Sequence, residues 1–173
     1  MALERLWAGW RAEYIDAVVG SSPDSDPAVE CLFCGLFRSD PDDAQVVARG
    51  EHAYAVLNAF PYTSGHLMVV PNRHEARLEC LDAEEAQSVM TMMQHATLAV
   101  RAAYAPEGIN LGMNLGRAAG AGIPDHLHVH VLPRWTSDTN FMTSVAEARI
   151  LPEALSRTLE RLRAAWPAGD VHS

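Results

Sequence analysis

The chain has 173 residues, of which 49% are apolar, so length and composition predict one domain with a hydrophobic core. Its formal charge is -9 at pH 7 and it contains no lysine. This argues against a nucleic-acid partner, because affinity for phosphate backbones comes from clustered Lys and Arg. No apolar run approaches the roughly 20 residues of a membrane span, so we expect a cytoplasmic protein with no membrane partner.

The first 30 residues are predicted to form a helical arm and a polar linker. Apolar side chains recur near helical spacing over residues 3–19, and Gly, Ser, Pro and Asp make up residues 20–27. The main domain is predicted over residues 31–166, and residues 167–173 are predicted to be a tail.

Five short segments are predicted to be strands: residues 46–49, 52–57, 66–70, 109–114 and 127–132. Gly50 and Glu51 separate the first two segments, which favours a hairpin.

One long helix is predicted over residues 83–104. Asp82 followed by Glu85 is typical of a capping box, and apolar residues that include Met90 and Met93 recur on one face. A methionine face of this kind is more typical of core packing than of a cofactor contact.

A last helix is predicted to begin at Pro152 and to end at Pro167. Hairpins around one central helix predict an α+β fold with a mainly antiparallel sheet, a long central helix and a C-terminal helix.

The run His126-Leu127-His128-Val129-His130 alternates histidine with apolar residues. Successive side chains of a strand point to opposite faces, so the histidines share one face with neighbours about 6.6 Å apart. A half-buried strand whose polar face is histidine-rich by chance would give the same pattern. We favour a reactive site, because three titratable rings in a row are costly as core filling and the chain has only eight histidines.

A glycine-rich loop at residues 116–125 immediately precedes this strand. Small residues let backbone amides approach a ligand closely, and consecutive N–H groups bind phosphate oxygens. Next to three histidines the loop favours phosphoryl chemistry, because a neutral imidazole attacks phosphorus well near neutral pH. Arg73, Arg117 and Arg134 lie beside these motifs and are candidate donors to an anionic ligand, although arginines also occur on any protein surface.

Cys31 and Cys34 form a Cys-x-x-Cys pair, which is typical of half a zinc site or of a redox pair. A redox pair normally opens a helix after a strand, whereas a polar stretch precedes Cys31 here, so we favour a metal. Cys80 stands alone and is predicted to be a buried, small apolar residue.

Together these motifs resemble those of the histidine triad (HIT) nucleotide hydrolases and transferases. The segments that carry the resemblance are residues 58–66, 71–74, 110–114 and 126–130. The longer run over residues 126–142 looks most like the bacterial branch that includes diadenosine tetraphosphate phosphorylases. The resemblance implies a HIT-like fold and a homodimer that pairs through the central helix and a sheet edge, with Met90 and Met93 at that interface.

The resemblance also implies a role for each residue of the site. His128 is implied as the nucleophile that attacks the α-phosphorus and becomes nucleotidylated, and His130 as a hydrogen-bonding partner of phosphate oxygens. His66 is implied as the residue that steadies the ring of the nucleophile. The residues implied at the substrate are Asn58 at the ribose, Phe60 near the base, and His130, Asn114, Gly116, Gly120, Ala121 and Gly122 at the phosphates.

The loop departs from the commonest pattern of the family. Many members carry a glutamine or serine shortly before the first histidine, where it helps to bind or protonate the bridging oxygen. Here residues 121–124 are Ala-Gly-Ile-Pro, and no such side chain is present. A polyphosphate leaving group needs little protonation, so the departure disfavours a phosphoramidase, whose amine leaving group needs a proton.

Zinc-bearing members of the family hold the metal with two cysteines and two histidines. The matching residues here are Cys31, Cys34, His74 and His126, an S₂N₂ set suited to a closed, structural, tetrahedral site. The alternative is that the cysteines are reduced and free, with His126 packed beside His128. Magnesium would enter with a polyphosphate substrate, since the sequence offers no carboxylate cluster for it.

We therefore expect a phosphorylase or hydrolase that cleaves dinucleoside polyphosphates at an α-phosphate through a nucleotidyl-histidine intermediate. Its alternatives are a nucleoside phosphoramidase or acyl-nucleotide hydrolase, and a nucleotide-binding signalling protein with little turnover. A hydrolase whose three triad histidines all bind one metal is disfavoured, because positions i, i+2 and i+4 of a strand span about 13 Å.

Overall fold

The computed structural model describes residues 31–136, residue 138 and residues 153–168. The predicted N-terminal arm and linker, and the predicted start of the last helix at Pro152, lie outside the described residues. Among the helices described, none combines the length and the apolar character that crossing a membrane requires.

One antiparallel sheet of five strands forms the centre of the domain, in the spatial order β1-β2-β3-β5-β4. The strands are β1 (Val46–Arg49), β2 (Ala53–Leu57), β3 (Leu67–Pro71), β4 (Gly108–Gly112) and β5 (Val129–Arg134). The predicted α+β fold, its antiparallel sheet and its first hairpin are thereby confirmed.

The histidine strand begins later than predicted. β5 starts at Val129, so only His130 of the three histidines lies within it. The N–H of Leu127 donates to the carbonyl of Glu75 at 2.7 Å. The backbone therefore bonds here to the loop after β3, and the ladder between β3 and β5 covers residues 129–131 of β5.

The sheet carries a core on each of its faces, because side chains alternate along every strand. In β2, Ala53, Ala55 and Leu57 pack on one face while Tyr54 and Val56 pack on the other. The first face is covered by α2 (Ala83–Tyr104) and α3 (Leu155–Ala164). The second face receives Phe33 from a short helix that the sequence analysis did not predict, α1 (Leu32–Arg38).

The long helix α2 has the predicted bounds and the predicted capping box. The Asp82 carboxylate accepts from the Glu85 backbone N–H at 2.8 Å, and the Glu85 carboxylate accepts from the Asp82 N–H at 3.0 Å. Its apolar face is rotated from the predicted one. Met90 is 54% exposed, whereas Met93 is only 9% exposed and lies in the core with Met92, so the prediction that Met93 lies at an interface is wrong.

Gly65 fixes how the chain enters β3 and therefore where His66 lies. Its φ is +82°, a left-handed conformation that favours glycine. A Cβ at this position would lie 2.9 Å from the ring of Tyr104 and 3.2 Å from Pro133, so the packing also requires the absence of a side chain.

Arg73, predicted as a candidate donor to the ligand, is instead a structural residue. Its Nε and Nη2 atoms donate to the two carboxylate oxygens of Glu85 at 2.6 and 2.7 Å, and Nη2 also donates to the carbonyl of Cys80 at 2.9 Å. The bonds from Arg73 hold the pKa of Glu85 at about 2, below the ordinary value of 4.5.

Replacing Glu85 with glutamine is therefore expected to destabilise the domain in a pH-dependent way. At pH 7 we expect Glu85→Gln to lower the free energy of unfolding by about 1–2 kcal/mol. The folded pKa lies below the unfolded one, so the carboxylate stabilises fully above pH 4.5 and loses its contribution as pH falls toward 2. Urea unfolding from pH 7 to pH 3 should show the two proteins converging in acid. A difference between them that does not change with pH would contradict the assignment.

Candidate active site and metal centre

The backbone determines which ring nitrogen of His128 carries the proton. His128 Nδ1 lies 2.9 Å from the carbonyl oxygen of His126, and a carbonyl only accepts, so Nδ1 carries the proton. Nε2 is then left with its lone pair in the neutral ring. Burial lowers the pKa of His128 and so favours that neutral form. The His128 side chain is buried and lines a pocket, so the pocket contains a neutral imidazole whose Nε2 keeps its lone pair.

A chain of hydrogen bonds orients the second histidine of the pocket, His130. The backbone N–H of Tyr62 donates to His66 Nδ1 at 3.1 Å, so a neutral His66 carries its proton on Nε2. That Nε2 lies 2.9 Å from His130 Nδ1, which must therefore accept. A neutral His130 consequently carries its proton on Nε2 and presents an N–H donor. The structure thus brings together one imidazole with a lone pair, His128, and one with a donor, His130, with ring centroids 5.1 Å apart.

Asn58 and Phe60 lie at the mouth of the same pocket. The Asn58 side-chain oxygen accepts from the Phe60 backbone N–H at 2.9 Å, which leaves its NH₂ group 3.4 Å from His66 Nε2. Phe60 is exposed. Both residues line the pocket that contains His128 and His130, and their contacts to a ribose and a base stay predictions.

The glycine-rich loop is organised differently from the predicted phosphate cradle. Residues 117–119 form a 3₁₀ turn, after which the amides of Gly120 and Ala121 donate to carbonyls inside the loop, those of Arg117 and Gly116. The side-chain amide of Asn114 donates to the Gly120 carbonyl at 3.4 Å. In this arrangement Asn114, Gly116 and Ala121 shape the loop.

Two loop residues, Gly120 and Gly122, do line the pocket beside His128 and His130. Gly120 has a φ of +91°, so a side chain there would be strained. These two positions therefore let the backbone of the loop approach a ligand closely.

The remaining candidate arginines differ in their partners. Arg134 donates to the Asp138 carboxylate at 2.5 and 2.7 Å and to the Asn110 side-chain oxygen at 2.9 Å, so it forms a structural ion pair. Arg117 is exposed on the 3₁₀ turn next to Gly120, and no carboxylate of the described residues pairs with it.

Four side chains from three separate segments converge at the start of α1. They are Cys31, Cys34, His74 and His126, whose ligand atoms all lie within 4.8 Å of one another. His126 Nδ1 lies 3.3 and 3.6 Å from the two sulfur atoms, and His74 Nδ1 lies 3.5 Å from the Cys34 sulfur. In a tetrahedral zinc site with the usual bond lengths the ligand atoms are about 3.4–3.8 Å apart. The three distances lie close to that range, and a contraction of no more than about 1 Å in the widest pair lets the set hold the ion.

The protonation of His126 also suits a metal ligand. Its Nε2 lies 3.0 Å from the Pro71 carbonyl and must donate to it, which leaves the Nδ1 lone pair facing the thiols. Burial lowers the pKa of His126 to about 4, so the ring is neutral at physiological pH. His126 therefore faces the sulfur atoms, whereas His128 and His130 line the pocket, so the three triad histidines do not converge on one point.

Comparison with known proteins identifies the family. The HIT domain model matches residues 40–137 of the chain. The chain belongs to the HIT family. It is 39% identical over 165 residues to the AP-4-A phosphorylase of Mycobacterium tuberculosis, covering 95% of this chain and 85% of that relative. It is also 25% identical over 134 residues to the adenosine 5'-monophosphoramidase of Schizosaccharomyces pombe, covering 78% of this chain and 96% of that relative.

Solved HIT structures have the same fold. A Zn-bound histidine triad family protein of Mycobacterium smegmatis superposes with a TM-score of 0.64 at 24% identity, covering 80% of this chain and 94% of that chain. A HIT family protein of Bacillus anthracis superposes with a TM-score of 0.54 at 30% identity, covering 61% and 73% of the two chains.

The sequence analysis of this HIT domain missed the apolar part of the pocket. That part is lined mainly by Leu32, Phe33 and Leu36 of α1, together with Ile123 of the loop. A signal was available, because Leu32 and Phe33 lie between the two cysteines of the predicted metal site. If those cysteines bind a metal together with His126, the residues between them must lie beside the triad.

Proposed function

We propose that this HIT protein cleaves dinucleoside polyphosphates of the diadenosine tetraphosphate type and transfers the nucleotidyl group to inorganic phosphate. The observation that carries the proposal is the pair of opposite protonation states in one pocket, a lone pair on His128 Nε2 and a proton on His130 Nε2. The similarity to a relative named AP-4-A phosphorylase favours this substrate class over other nucleotides.

The reaction divides into two displacements at one phosphorus atom. His128 Nε2 attacks the α-phosphorus, a P–N bond forms, and the bond to the bridging oxygen breaks, so that ATP leaves with the electron pair. A phosphate oxygen then attacks the same phosphorus, the P–N bond breaks, and ADP forms with His128 neutral again. ATP leaves as a polyphosphate anion, so the first step needs no general acid at the position where this loop lacks a glutamine or serine.

His130 is proposed to stabilise the charge that develops on the phosphorus oxygens. Its Nε2–H donates to a non-bridging oxygen, and His66 holds the ring in the donating tautomer through the 2.9 Å bond. Asn58 is proposed to contact the ribose, and Phe60 with the apolar side chains of α1 to enclose the base. Asn114, Gly116, Gly120, Ala121 and Gly122 are proposed to shape and present the loop that faces the phosphates.

Arg117 is proposed to bind the phosphate acceptor. A dianionic acceptor must approach a protein of net charge -9, and Arg73 and Arg134 are already paired with carboxylates. We expect Arg117→Ala to raise the KM for phosphate about tenfold, since a charge-assisted hydrogen bond is lost. The KM for the dinucleotide should change much less.

Steady-state kinetics with phosphate as the varied substrate would measure this. The matched control is Arg101→Ala, which removes the same charge from an exposed position on α2. Equal KM values for phosphate in the wild type and in Arg117→Ala would rule out this role.

The Cys31, Cys34, His74 and His126 set is proposed to hold a structural zinc ion. Four protein ligands would close the coordination shell, so the ion would fasten the start of α1 to the triad segment and would not bind substrate. Among the described residues no acidic cluster offers a second metal site, so magnesium is proposed only as a companion of the polyphosphate.

The protein is also proposed to be a homodimer. β4 is an edge strand on which Leu111 is 52% exposed, and α2 exposes Met90 and Leu98. An exposed edge strand with apolar side chains promotes aggregation. Pairing of β4 with a second copy of the chain would bury this surface. A sedimentation experiment that returns the mass of one protomer would exclude the dimer.

Product analysis with diadenosine tetraphosphate, with and without inorganic phosphate, tests the function directly. ADP plus ATP formed only with phosphate would support a phosphorylase, whereas AMP plus ATP formed without phosphate would indicate a hydrolase. The relative named adenosine 5'-monophosphoramidase makes an AMP amide the second substrate to assay. Turnover of that amide without turnover of the dinucleotide would replace the proposal.

A further inference from the structure

A buried tyrosine outside the pocket is bonded to the helix that packs on the nucleophile. Tyr54 lies on β2, is fully buried, and donates its hydroxyl to the Phe33 backbone carbonyl at 2.7 Å. Tyr54 is not among the residues that line the pocket. Its hydroxyl is therefore bonded to the backbone of α1 and lies outside the pocket.

Phe33 connects this tyrosine to the histidines. The Phe33 ring is 1% exposed, and its centroid lies 5.0 Å from that of His128 and 5.5 Å from that of His126. The ring therefore packs against the nucleophile, whose Nδ1 is bonded to the backbone at the same time. These two contacts together restrict the tilt of the His128 ring.

The helix that carries Phe33 depends on outside contacts for its position. α1 has seven residues, and its N-cap, Cys31, makes no side-chain capping bond. Helices this short are unstable alone in water. At its far end Arg49 donates to the carbonyls of Phe37 and Ser39 at 2.8 and 2.7 Å, so the first hairpin holds α1 by both ends, through Arg49 and Tyr54.

We infer that Tyr54 is a positioning residue for the nucleophile: its hydroxyl fixes the Phe33 backbone, and the Phe33 ring fixes His128 for in-line attack. This inference rests on the proposed function, in which His128 attacks phosphorus. An attacking atom displaced by about 1 Å costs up to about 100-fold in rate, so a small release of the Phe33 ring is enough to be measured.

The variant Tyr54→Phe tests the inference, because it removes one hydroxyl and keeps the aromatic ring. We expect the single-turnover rate of forming nucleotidyl-His128, at saturating diadenosine tetraphosphate, to fall about five- to tenfold. The KM for the dinucleotide should stay within about twofold, because Tyr54 does not touch the pocket. The content of bound zinc should be unchanged.

The matched control is Tyr104→Phe. It also removes one tyrosine hydroxyl, which donates to the Glu153 carboxylate at 2.7 Å, and Tyr104 is not among the pocket residues, so the single-turnover rate should stay at the wild-type value. A wild-type rate in Tyr54→Phe, or an equal fall in Tyr104→Phe, would overturn the positioning role. A fall explained entirely by a raised KM or by lost zinc would overturn it as well.

NMR of ¹⁵N-labelled histidine separates this inference from the proposed function. Without substrate, Tyr54→Phe should broaden or shift the ring signals of His128 while leaving those of His95 on α2 unchanged. If the wild type forms no nucleotidyl-histidine, the proposed function fails, and the NMR spectra alone then decide whether Tyr54 orders the ring. Unchanged His128 signals would reject the inference.

Discussion

Replacing His128 with glutamine should abolish nucleotidyl transfer, with kcat/KM falling at least about 10⁴-fold, as when other enzymes lose a covalent nucleophile. The loss of activity is expected because the reaction depends on one atom, Nε2 of His128. His128 Nε2 carries the lone pair in the pocket because Nδ1 is committed to the His126 carbonyl. Glutamine places a non-nucleophilic amide near the position of Nε2 and has a similar length, so the nucleophile is lost while the packing changes little.

The measurement is a quenched-flow assay with diadenosine tetraphosphate labelled at the α-phosphorus. The wild type should show a burst of ATP and a labelled protein band that is stable at neutral pH, and His128→Gln should show neither. His95→Gln provides a matched control, because it changes a histidine of α2 that lies away from the triad. A labelled band that persists in His128→Gln would assign the nucleophile elsewhere, and His130 would be the next residue to replace.

Removing the proposed zinc ion should produce the second large effect, this time on stability. We expect Cys34→Ser to lower bound zinc from about one ion per chain to near zero. The free energy of unfolding should fall by several kcal/mol, since structural zinc contributes about 10–16 kcal/mol of binding energy in small zinc-finger peptides. Cys34 is buried and bonds α1 to both His74 and His126, so the loss would release α1 from two segments at once.

Elemental analysis and thermal unfolding with and without a chelator would measure the two effects together. Cys80→Ser is the matched control, because Cys80 lies outside the four-residue set and should leave zinc content unchanged. The same experiment separates two kinds of metal site. Zinc retained in Cys34→Ser would contradict the four-ligand site. It would favour the alternative hypothesis, in which the triad histidines bind the ion directly.

The elements that the sequence alone determined are those encoded by neighbouring residues. α2 has the predicted bounds because its start depends on Asp82 and Glu85, three positions apart. The hairpin of β1 and β2 likewise follows from a two-residue turn. The candidate metal set was also named in full, although Cys31 and His126 are 95 positions apart, because the family resemblance supplied the pairing that spacing could not.

Contacts between segments that are distant in the sequence determined the apolar part of the pocket, the role of Arg73 and the proton positions on the histidines. No local sequence pattern encodes such contacts. α1 is too short to show a helical period of its own, so its apolar contribution to the pocket became visible only once it packed beside His128. Arg73 lies beside a site motif in the sequence, and only the folded chain places the Glu85 carboxylate against its guanidinium group. The proton positions on His66 and His130 follow from a backbone N–H of Tyr62, which only the folded chain brings to the ring.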